Sequence, residues 1–490
     1  MKKVLLYTVF LLFGGEISSA QNNTHAAKAI SALANDSELA HAGISICIID
    51  AGTGKVIASL NPDLSLIPAS SMKVVTTGAA LGILGPDYVF RTELQYDGHI
   101  DREDASLHGN LYIKGYGDPT LGSDHLPGVL QMNEVMDSFA RVVRRQKIAY
   151  IRGRVVGDGS YFSTDQAIGA NWQWDDIGNS YGAGAHGLNI NENQYNLSIR
   201  QNAVIGSVPE ISAVEPQLPD TEIINKLSTG YPDTEPETGI YAAPYGDEIV
   251  VSGKIPSGTG YIKIKGSIPD PPFIAAHYLQ EALKSKYGIA CRKKPMNFSD
   301  LKPGLSSGRT TFFTYYSPNL LSIVGEANKE SNNMFVEALL RAMAKFNDLE
   351  GNPSKGCDIV KKYWKEKGID MNGFFMEDGS GLSSRSAVSS RQLASILQHL
   401  NSDKTIGSAF YNTLPKAGES GTLKSMFKNT AAMGKLCAKS GSMTRVRSYS
   451  GYIDRPNGAR WCFSVIVNNY TCSSNDMKSK LEKFMSRLCE

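Results

Sequence analysis

The sequence predicts a mixed α/β fold in which helices surround an antiparallel sheet and a large strand-rich insertion interrupts the chain. Near the N-terminus, "GISICIID" and "KVIASL" flank a Gly-containing turn, which predicts a β-hairpin. Near the C-terminus, "RSYSGYID" and "RWCFSVIVNNY" predict two strands ahead of a last helix. The stretch between about 92 and 295 is rich in Gly, Pro, Asp and short strand patterns. Strands at both ends of a chain often share one sheet, so the middle is expected to leave and re-enter the main domain.

The expected domain boundaries follow these changes in composition. Residues 188–260 are more polar and richer in turns than the rest of the middle, which predicts a domain nested inside the insertion. The expected units are therefore a leader (1–20), a main domain (21–91 and 296–490), a second domain (92–187 and 261–295) and a nested third domain (188–260).

The first twenty residues have the pattern of a secretory signal peptide. Lys2 and Lys3 provide a positive start, residues 4–13 are apolar, and "SSA" before Gln21 offers a small-residue cleavage site. A membrane anchor is the alternative interpretation, but a span needs about 20 apolar residues. The mature protein is therefore expected outside the cytoplasm, in the periplasm, with no transmembrane anchor after cleavage.

The charge balance, the histidines and the cysteines exclude several functions. The 50 basic and 48 acidic residues leave no charge excess that would favour nucleic-acid binding. The eight histidines show no HExxH or paired metal-ligand spacing, so neither a metal nor another cofactor is expected. The seven cysteines are scattered and odd in number, which predicts no disulfide framework, although export would permit a bridge. The sequence predicts no oligomeric state.

A serine and a lysine one helical turn apart form the first candidate catalytic pair. In "IPASSMKVVTT", Ser70 and Lys73 are spaced i, i+3 and share a face of the helix that the following apolar run predicts. This spacing suits a nucleophile with an adjacent base, at a helix N-terminus that favours developing negative charge. The same S-x-x-K pattern begins at Ser299 and Ser425, where no apolar helix follows. Alone, the pattern also fits an ordinary N-terminal serine with a solvent-exposed lysine.

Two further motifs follow along the chain. Ser331 and Asn333, in "KESNNMFVEALL", stand just before an amphipathic helix, where an ordinary N-cap is the alternative interpretation. Lys439-Ser440-Gly441 is the chain's only K-[ST]-G, and its glycine would let a ligand approach the edge of a strand. Each motif is weak alone, but the order S-x-x-K, S-x-N, K-[ST]-G is the signature of penicillin-recognising serine acyl-transferases.

With a long insertion between its first two motifs, the chain resembles the class C low-molecular-mass penicillin-binding proteins, a family of D-Ala-D-Ala carboxypeptidases and endopeptidases. The resemblance covers essentially the whole mature chain, since "GNLYIKGYGDPTL", "WQWDD", "MEDGSGLS" and "TLPKAGESGTL" also fit the family's pattern. It implies a β-lactamase/transpeptidase-like main domain that acts on peptidoglycan peptides and is acylated by β-lactam antibiotics. The chain departs from the family at Ser440, where threonine is usual, and after "DGSGLS", where Ser384 precedes Arg385.

The resemblance implies catalytic roles for the first two motifs. Ser70 would attack the carbonyl of the penultimate D-alanine after Lys73 takes its proton. The lysine must then be neutral part of the time, which burial beside other cationic groups can achieve. Ser331 would relay a proton to the leaving amine, and Asn333 would hold Lys73 and the substrate amide.

The third motif and its neighbour are implied to bind substrate. Lys439 and Ser440, beside Gly441, would bind the terminal carboxylate of the peptide. The backbone N–H groups of Ser70 and Ser442 would form the oxyanion hole, because donors aimed at developing charge stabilise the transition state.

The inserted domain is expected to contribute to peptide recognition, since in this family it overhangs the cleft. Its most distinctive stretch is "NWQWDDIGNSYG". Asp175 or Asp176 would pair with the amine of the stem-peptide diamino acid, and Arg385 with its second carboxylate. Surface packing plus a turn is the alternative interpretation of this stretch.

Other interpretations stay open. "EDGSGL" foremost predicts a tight turn, which would shape the cleft from behind Lys439. G-x-S-x-G occurs around Ser180 and Ser306, but neither lies between a predicted strand and helix, so both predict glycine-rich turns. A serine β-lactamase or esterase of the same fold and a non-catalytic cell-wall binding module are the rival functions. Because all three motifs lie outside residues 188–260, removing that segment is expected to leave penicillin acylation largely intact.

Overall fold

The computed structural model covers most of the chain, and the residues it describes are 24–163, 167–169, 171–302 and 308–490. The expected signal peptide and the glycine-rich turn expected around Ser306 lie outside these residues. Among the described residues, no helix combines the length and the apolar character needed to span a bilayer.

The helices and strands are labelled in chain order. The α-helices of the described chain are α1 (Thr24–Ala34), α2 (Met72–Leu84), α3 (Met132–Arg145), α4 (Trp174–Ile177), α5 (Pro271–Tyr287), α6 (Leu320–Lys329), α7 (Asn333–Phe346), α8 (Pro353–Glu366), α9 (Ser390–Ser402), α10 (Gly407–Thr413) and α11 (Ser474–Leu488). The strands are β1 (Gly43–Asp50), β2 (Val56–Leu60), β3 (Val89–Tyr96), β4 (His99–Asp101), β5 (Ser106–His108), β6 (Leu111–Gly115), β7 (Tyr150–Ile151), β8 (Val155–Asp158), β9 (Gln194–Arg200), β10 (Glu210–Glu215), β11 (Glu222–Gly230), β12 (Glu237–Ala242), β13 (Glu248–Pro256), β14 (Tyr261–Ser267), β15 (Ala290–Cys291), β16 (Met296–Asn297), β17 (Thr310–Asn319), β18 (Leu436–Met443), β19 (Val446–Asp454) and β20 (Arg460–Asn468).

The main domain is built on a five-stranded antiparallel sheet in the order β18-β19-β20-β1-β2. The two ends of the chain meet where β1 pairs with β20, with Gly43 opposite Asn468 and Asp50 opposite Trp461. This pairing confirms the predicted fold class, in which the N-terminal hairpin and the late strands share one sheet. The K-S-G motif lies on β18, at the edge of the sheet.

Helices cover both faces of this sheet. Because side chains alternate along a strand, Ile46 and Ile48 of β1 pack in the core with α1 and α11, whereas Ile49 packs against Ala394 of α9. Residues 72–81 of α2 are all buried, so α2 is the central helix of the other layer. The apolar stripe predicted for the last helix is buried as expected, at Met477, Leu481, Phe484 and Leu488.

The insertion contains four sheets that share one apolar core. The first is a five-stranded sheet in the order β16-β8-β6-β3-β17, which contains the first and the last strand of the insertion. The second is a four-stranded sheet in the order β15-β7-β5-β4. Two three-stranded sheets, β10-β9-β14 and β11-β13-β12, follow. Side chains from all of these regions meet in the core, among them Leu94, Ile151, Ile199 and Val251.

The strand pairing places the insertion's limits outside the boundaries expected at 92 and 295. Strand β3 pairs with β17, so Thr92 lies opposite Tyr315 and the insertion's sheet runs from Val89 to Asn319. Strand β14 pairs with β9, which joins the expected third domain to the second. Both differences arise because partners far apart in sequence leave no local signal of their pairing.

Candidate active site

The N-terminus of α2 packs directly against the edge strand β18. A Cβ atom on Gly441 would lie 2.5 Å from the Pro68 carbonyl oxygen and 2.9 Å from the Ser70 nitrogen, so only glycine permits this approach. Next to it, Ser71 Oγ and Ser448 Oγ are hydrogen-bonded at 2.8 Å. The K-S-G glycine thus brings the strand that carries Lys439 against the serine that begins the helix.

Ser70 lies in a short 3₁₀ turn, Ala69–Ser71, that leads into α2. Ala69 has a left-handed φ of 45°, a conformation that is unfavourable for a residue with a Cβ atom. Strained backbone of this kind persists where the surroundings fix it, and it is concentrated at functional sites. Ser70 itself is only partly buried, while Lys73 is fully buried.

Lys73 connects all parts of the catalytic centre. Its Nζ donates hydrogen bonds to Ser70 Oγ at 2.9 Å, to Asn333 Oδ1 at 2.5 Å and to the Ser380 carbonyl oxygen at 2.9 Å. An ammonium group has three donors, so these acceptors match its full capacity. The lysine is therefore held with its nitrogen against the serine hydroxyl.

Burial lowers the pKa of Lys73 to about 7. The nearby carboxyl groups of Asp378 and Glu337 act in the opposite direction, because they favour the charged amine. Burial, which is one half of the expectation, is thus the main cause of the lowered pKa and outweighs both carboxyl groups. A large neutral fraction near pH 7 would let Lys73 accept a proton from the neighbouring Ser70 hydroxyl.

The S-x-N motif surrounds a helix cap. Asn332 is the N-cap of α7, since its side-chain oxygen accepts from the Phe335 N–H at 3.2 Å. Ser331, with a left-handed φ of 61°, and Asn333 are thereby free to face the catalytic centre. Asn333 Nδ2 donates to the Tyr181 carbonyl oxygen at 2.7 Å, which orients its Oδ1 toward Lys73.

Lys439 joins the second motif to the third. Its buried Nζ donates to Ser331 Oγ at 2.9 Å and to the Ser440 carbonyl oxygen at 2.8 Å. Burial and the charge of Lys73 hold the pKa of Lys439 well below its usual range. Ser440 Oγ donates to Thr422 Oγ1 at 2.8 Å. A bound carboxylate would provide the counter-charge that favours protonated Lys439.

A cavity of about 520 Å³ opens above these groups. The main domain and the insertion both contribute to its walls, which include Ser70, Ser331, Asn333, Ser442, Gln173, Asp175, Asp176, Tyr181 and Ser384. Arg385 is not among the lining residues, and its Nη1 donates to Asn171 Oδ1 at 2.8 Å. The structure therefore brings both aspartates to the cavity, with Ser384 rather than Arg385 on the loop that faces it.

The two aspartates differ in their surroundings. Asp175 is exposed, whereas Asp176 is half-buried, and burial raises its pKa despite a hydrogen bond with the Tyr181 side chain. Both lie in α4. Gly178, which ends this helix, packs so closely against the Ile240 carbonyl of β12 that a Cβ atom at this position would overlap it, and this contact holds α4 in place. A positively charged ligand group would relieve the unfavourable burial of Asp176.

The loop containing "EDGSGL" lies beside Lys73, rather than behind Lys439 as expected. Glu337 accepts hydrogen bonds from the N–H groups of Gly379 at 3.0 Å and Ser380 at 2.7 Å, and the Ser380 carbonyl then meets Lys73. Asp378, in the same loop, accepts from Trp172 Nε1 at 2.8 Å. These two buried acids fix the loop on which the lysine rests.

Sequence reasoning missed Glu337, Trp172 and Tyr181. One signal for Glu337 was available, since an acid one turn after Asn333 interrupts the apolar face of "MFVEALL". Tyr181 contributes a backbone carbonyl, which any residue type could supply, so no sequence pattern identifies it.

The competing serines lie in other surroundings. Ser299 is in a 3₁₀ turn, Phe298–Asp300, where its hydroxyl donates to Asp300. Ser425 is exposed in a turn, and Ser180 begins the 3₁₀ turn Ser180–Gly182. Each of these positions lacks the strand-to-helix or helix-start geometry of an activated nucleophile.

Comparisons with known proteins show the family of the chain. The model of the D-Ala-D-Ala carboxypeptidase 3 (S13) family matches residues 26–488. A D-alanyl-D-alanine carboxypeptidase from Actinomadura sp. (strain R39) is 27% identical over 90% of this chain and 80% of its own length. D-alanyl-D-alanine carboxypeptidase DacB from Haemophilus influenzae is 25% identical, over 88% and 85%.

A solved structure has the same fold over nearly the whole chain. Penicillin binding protein 4 (dacB) from Haemophilus influenzae superposes with a TM-score of 0.79 at 22% identity, covering 94% of this chain and 98% of that one. The family model includes all three motifs within its matched range. The chain therefore belongs to the D-Ala-D-Ala carboxypeptidase 3 (S13) family and is a serine-type D-Ala-D-Ala carboxypeptidase.

Proposed function

We propose that this enzyme releases the terminal D-alanine from peptidoglycan stem peptides, and also cleaves D-alanyl cross-links between them, through an acyl-enzyme on Ser70. The observation that carries the proposal is the 2.9 Å contact between Ser70 Oγ and the buried Nζ of Lys73. The predicted signal peptide supports a periplasmic location, where the cell-wall substrate lies.

Acylation begins when neutral Lys73 removes the proton of Ser70. The Ser70 oxygen attacks the carbonyl carbon of the penultimate D-alanine, and negative charge develops on the carbonyl oxygen. The N–H groups of Ser70 and Ser442 stabilise that charge, because Gly441 holds the strand close to the start of α2.

Breakdown of the tetrahedral intermediate needs a proton on the leaving amine. Ser331 delivers its hydroxyl proton to this nitrogen and is reprotonated from Lys439, whose Nζ lies 2.9 Å from Ser331 Oγ. The terminal D-alanine then departs as an amine. Before deacylation, Lys73 releases to solvent the proton it took from Ser70, and Lys439 regains one from solvent, so both lysines return to their starting states. Neutral Lys73 then takes a proton from the water that attacks the acyl carbonyl, and it passes this proton to Ser70 Oγ as the acyl bond breaks.

Recognition of the substrate's free carboxylate falls to Lys439 and Ser440. The described contacts of the buried Lys439 Nζ are Ser331 Oγ and the Ser440 carbonyl, so no acid lies within hydrogen-bond distance to favour its charged form. A substrate carboxylate placed beside Ser440 Oγ supplies the negative charge that Lys439 lacks, and it accepts a charge-assisted hydrogen bond from the protonated lysine.

The proposal is tested by comparing turnover of two substrates. We expect repeated release of D-alanine from a D-Ala-D-Ala peptide and from a cross-linked dimer. Penicillin should give a stoichiometric and slowly released adduct, because its strained amide acylates the same serine. Faster turnover of penicillin than of peptide would identify a β-lactamase. Binding without turnover of either would identify a non-catalytic binding module.

The inserted domain also supports a preference for a charged side chain in the stem peptide. We assign Asp175 and Asp176 to its amine, since both line the cavity. We assign Arg385 to its second carboxylate, for which the arginine must exchange its contact with Asn171. The hydrogen bond from Gln173 Nε2 to Ser384 Oγ, at 3.4 Å, places the two assigned regions side by side.

Substitution of these residues should lower peptide turnover selectively. Asp176→Asn, Asp175→Asn and Arg385→Ala should each reduce kcat/KM for a diaminopimelate-containing peptide, by about 1–3 kcal/mol of transition-state stabilisation. The largest effect is expected at Asp176, which is the less exposed aspartate. Steady-state kinetics with peptides that contain or lack the side-chain charges measure this.

Penicillin acylation provides the internal control, because penicillin lacks the diamino acid side chain. The matched control variant is Asp233→Asn, an exposed aspartate of the nested region. Equal loss of peptide and penicillin reactivity in the Asp176→Asn and Arg385→Ala variants would show that these residues are structural, and the assignment would be wrong.

A further inference from the structure

Three consecutive residues of the insertion form an unusual turn. Asn191, Glu192 and Asn193 have left-handed φ values of 53°, 55° and 55°, which non-glycine residues rarely adopt in succession. Two hydrogen bonds hold the turn. The Asn191 N–H donates to the carbonyl of Leu121, in another segment, at 2.9 Å, and within the turn the Ile190 N–H donates to Asn193 Oδ1 at 3.1 Å. Backbone strain that the surroundings fix in this way points to a functional requirement.

The turn delivers one carboxylate into the interior. Glu192 is 4% exposed, and its Oε1 accepts from Ser123 Oγ at 2.5 Å while its Oε2 accepts from Asn332 Nδ2 at 2.6 Å. His125 Nε2 lies 3.7 Å from the same carboxylate, and a hydrogen bond to Glu326 raises the pKa of His125 to about 9. His125 also faces Asp124 and Glu326, so it offsets only part of the charge of Glu192, whose pKa burial raises.

Asn332 is the middle residue of the S-N-N sequence that carries the second motif. Its Oδ1 caps α7 and its Nδ2 is held by Glu192, so both ends of its amide are fixed. The residues on either side are Ser331, which meets Lys439, and Asn333, which meets Lys73. Asn333 is also anchored on the Tyr181 carbonyl, so a small displacement of Asn332 would act mainly on Ser331 and its contact with Lys439.

We propose that Glu192 is a positioning residue, which holds Asn332 from the inserted domain so that Ser331 stays aligned for proton delivery to the leaving amine. This rests on the role proposed above for Ser331. The Tyr181 carbonyl, which accepts from Asn333 Nδ2, is a second contact from the insertion to the same motif. Catalysis thus depends on the insertion beyond its part in recognising the peptide.

The test exchanges the donor and the acceptor across this contact. Asn332→Asp keeps the capping oxygen but places a carboxylate against Glu192, and we expect D-alanine release from a peptide amide to fall about 30-fold. Glu192→Gln alone keeps an accepting oxygen and should lose less than about threefold. In the double variant the new glutamine amide can donate to the new carboxylate, and activity should return to within about threefold of the wild type.

A thioester substrate distinguishes misalignment of Ser331 from a general loss of active-site structure. A thioester of the same acyl group releases an anion that needs no proton, so Asn332→Asp should slow its hydrolysis less than about threefold. Asn332→Ser, which keeps a capping oxygen but lacks the amide N–H that reaches Glu192, should show the same selective loss for the amide substrate. Thermal melting of each variant checks that it is folded.

Ser331→Ala distinguishes the inference from its premise. If Ser331→Ala slows amide and thioester equally, Ser331 is not the proton relay, and both the proposed role and the inference are overturned. If Ser331→Ala is selective for the amide but the double variant is no better than Asn332→Asp, the role of Ser331 stands and the inference about Glu192 is overturned. Equal loss of both substrates in Asn332→Asp would also overturn it.

Discussion

Replacing Ser70 with alanine should abolish D-alanine release and β-lactam acylation together. The hydroxyl is the only atom of the side chain that can form the acyl bond, so we expect kcat to fall by about 10⁴-fold or more. The substitution leaves the other two hydrogen bonds of Lys73, to Asn333 and Ser380, in place, so the loss of activity reports on the Ser70 hydroxyl itself. Steady-state peptide hydrolysis and titration with a labelled β-lactam measure the two losses.

The other two S-x-x-K serines provide matched controls for this substitution. Ser299→Ala and Ser425→Ala remove hydroxyls that lie in turns outside the cavity, so both variants should keep full activity. Full activity in Ser70→Ala, with loss in either control, would refute the assignment of the nucleophile.

Lys73→Ala should block acylation nearly as completely. Serine is a poor nucleophile without an adjacent base, and we expect the acylation rate to fall by about 10³-fold for peptide and for ester alike. Lys439→Ala should instead act mainly on substrates that have a free carboxylate and an amine leaving group, because Lys439 binds the first and supplies the proton for the second. Single-turnover kinetics with an acid and with its ester separate the two lysines, and equal losses for both variants on the ester would contradict this division.

The pH dependence of acylation shows whether the pKa of Lys73 is lowered. The neutral amine is the active form, and its pKa is about 7. The wild-type kcat/KM should therefore rise about tenfold per pH unit below that value and level off above it. A lysine with an ordinary pKa near 10.4 would give a rate that still rises at pH 9. The profile of kcat/KM between pH 5 and 9 decides between them.

The main sheet and the catalytic motifs could be predicted because their signals are local. The alternating strands at the chain ends, the apolar stripe of α11 and the order of the three motifs each lie within a few residues. Only the combination of the motifs was specific, since Ser299 and Ser425 begin the same four-residue pattern as Ser70.

The residues that support the centre could not be predicted, because their contacts join distant parts of the chain. Glu192 reaches Asn332 across 140 positions, and Trp172 reaches Asp378 across 206. These contacts argue against the expected independence of residues 188–260. That segment contains Glu192, and its strand β12 lies against α4. Removing it would disturb the cavity even though no motif residue is lost.

The nucleophile is tested most directly by mapping the site that penicillin modifies. The wild-type protein is incubated with labelled penicillin, digested, and analysed by mass spectrometry for the peptide that carries the label. We predict one labelled peptide containing "IPASSMK", with the modification on Ser70 and no label in Ser70→Ala. A label on Ser299, Ser425 or Ser331, or stoichiometric labelling of Ser70→Ala, would contradict the account.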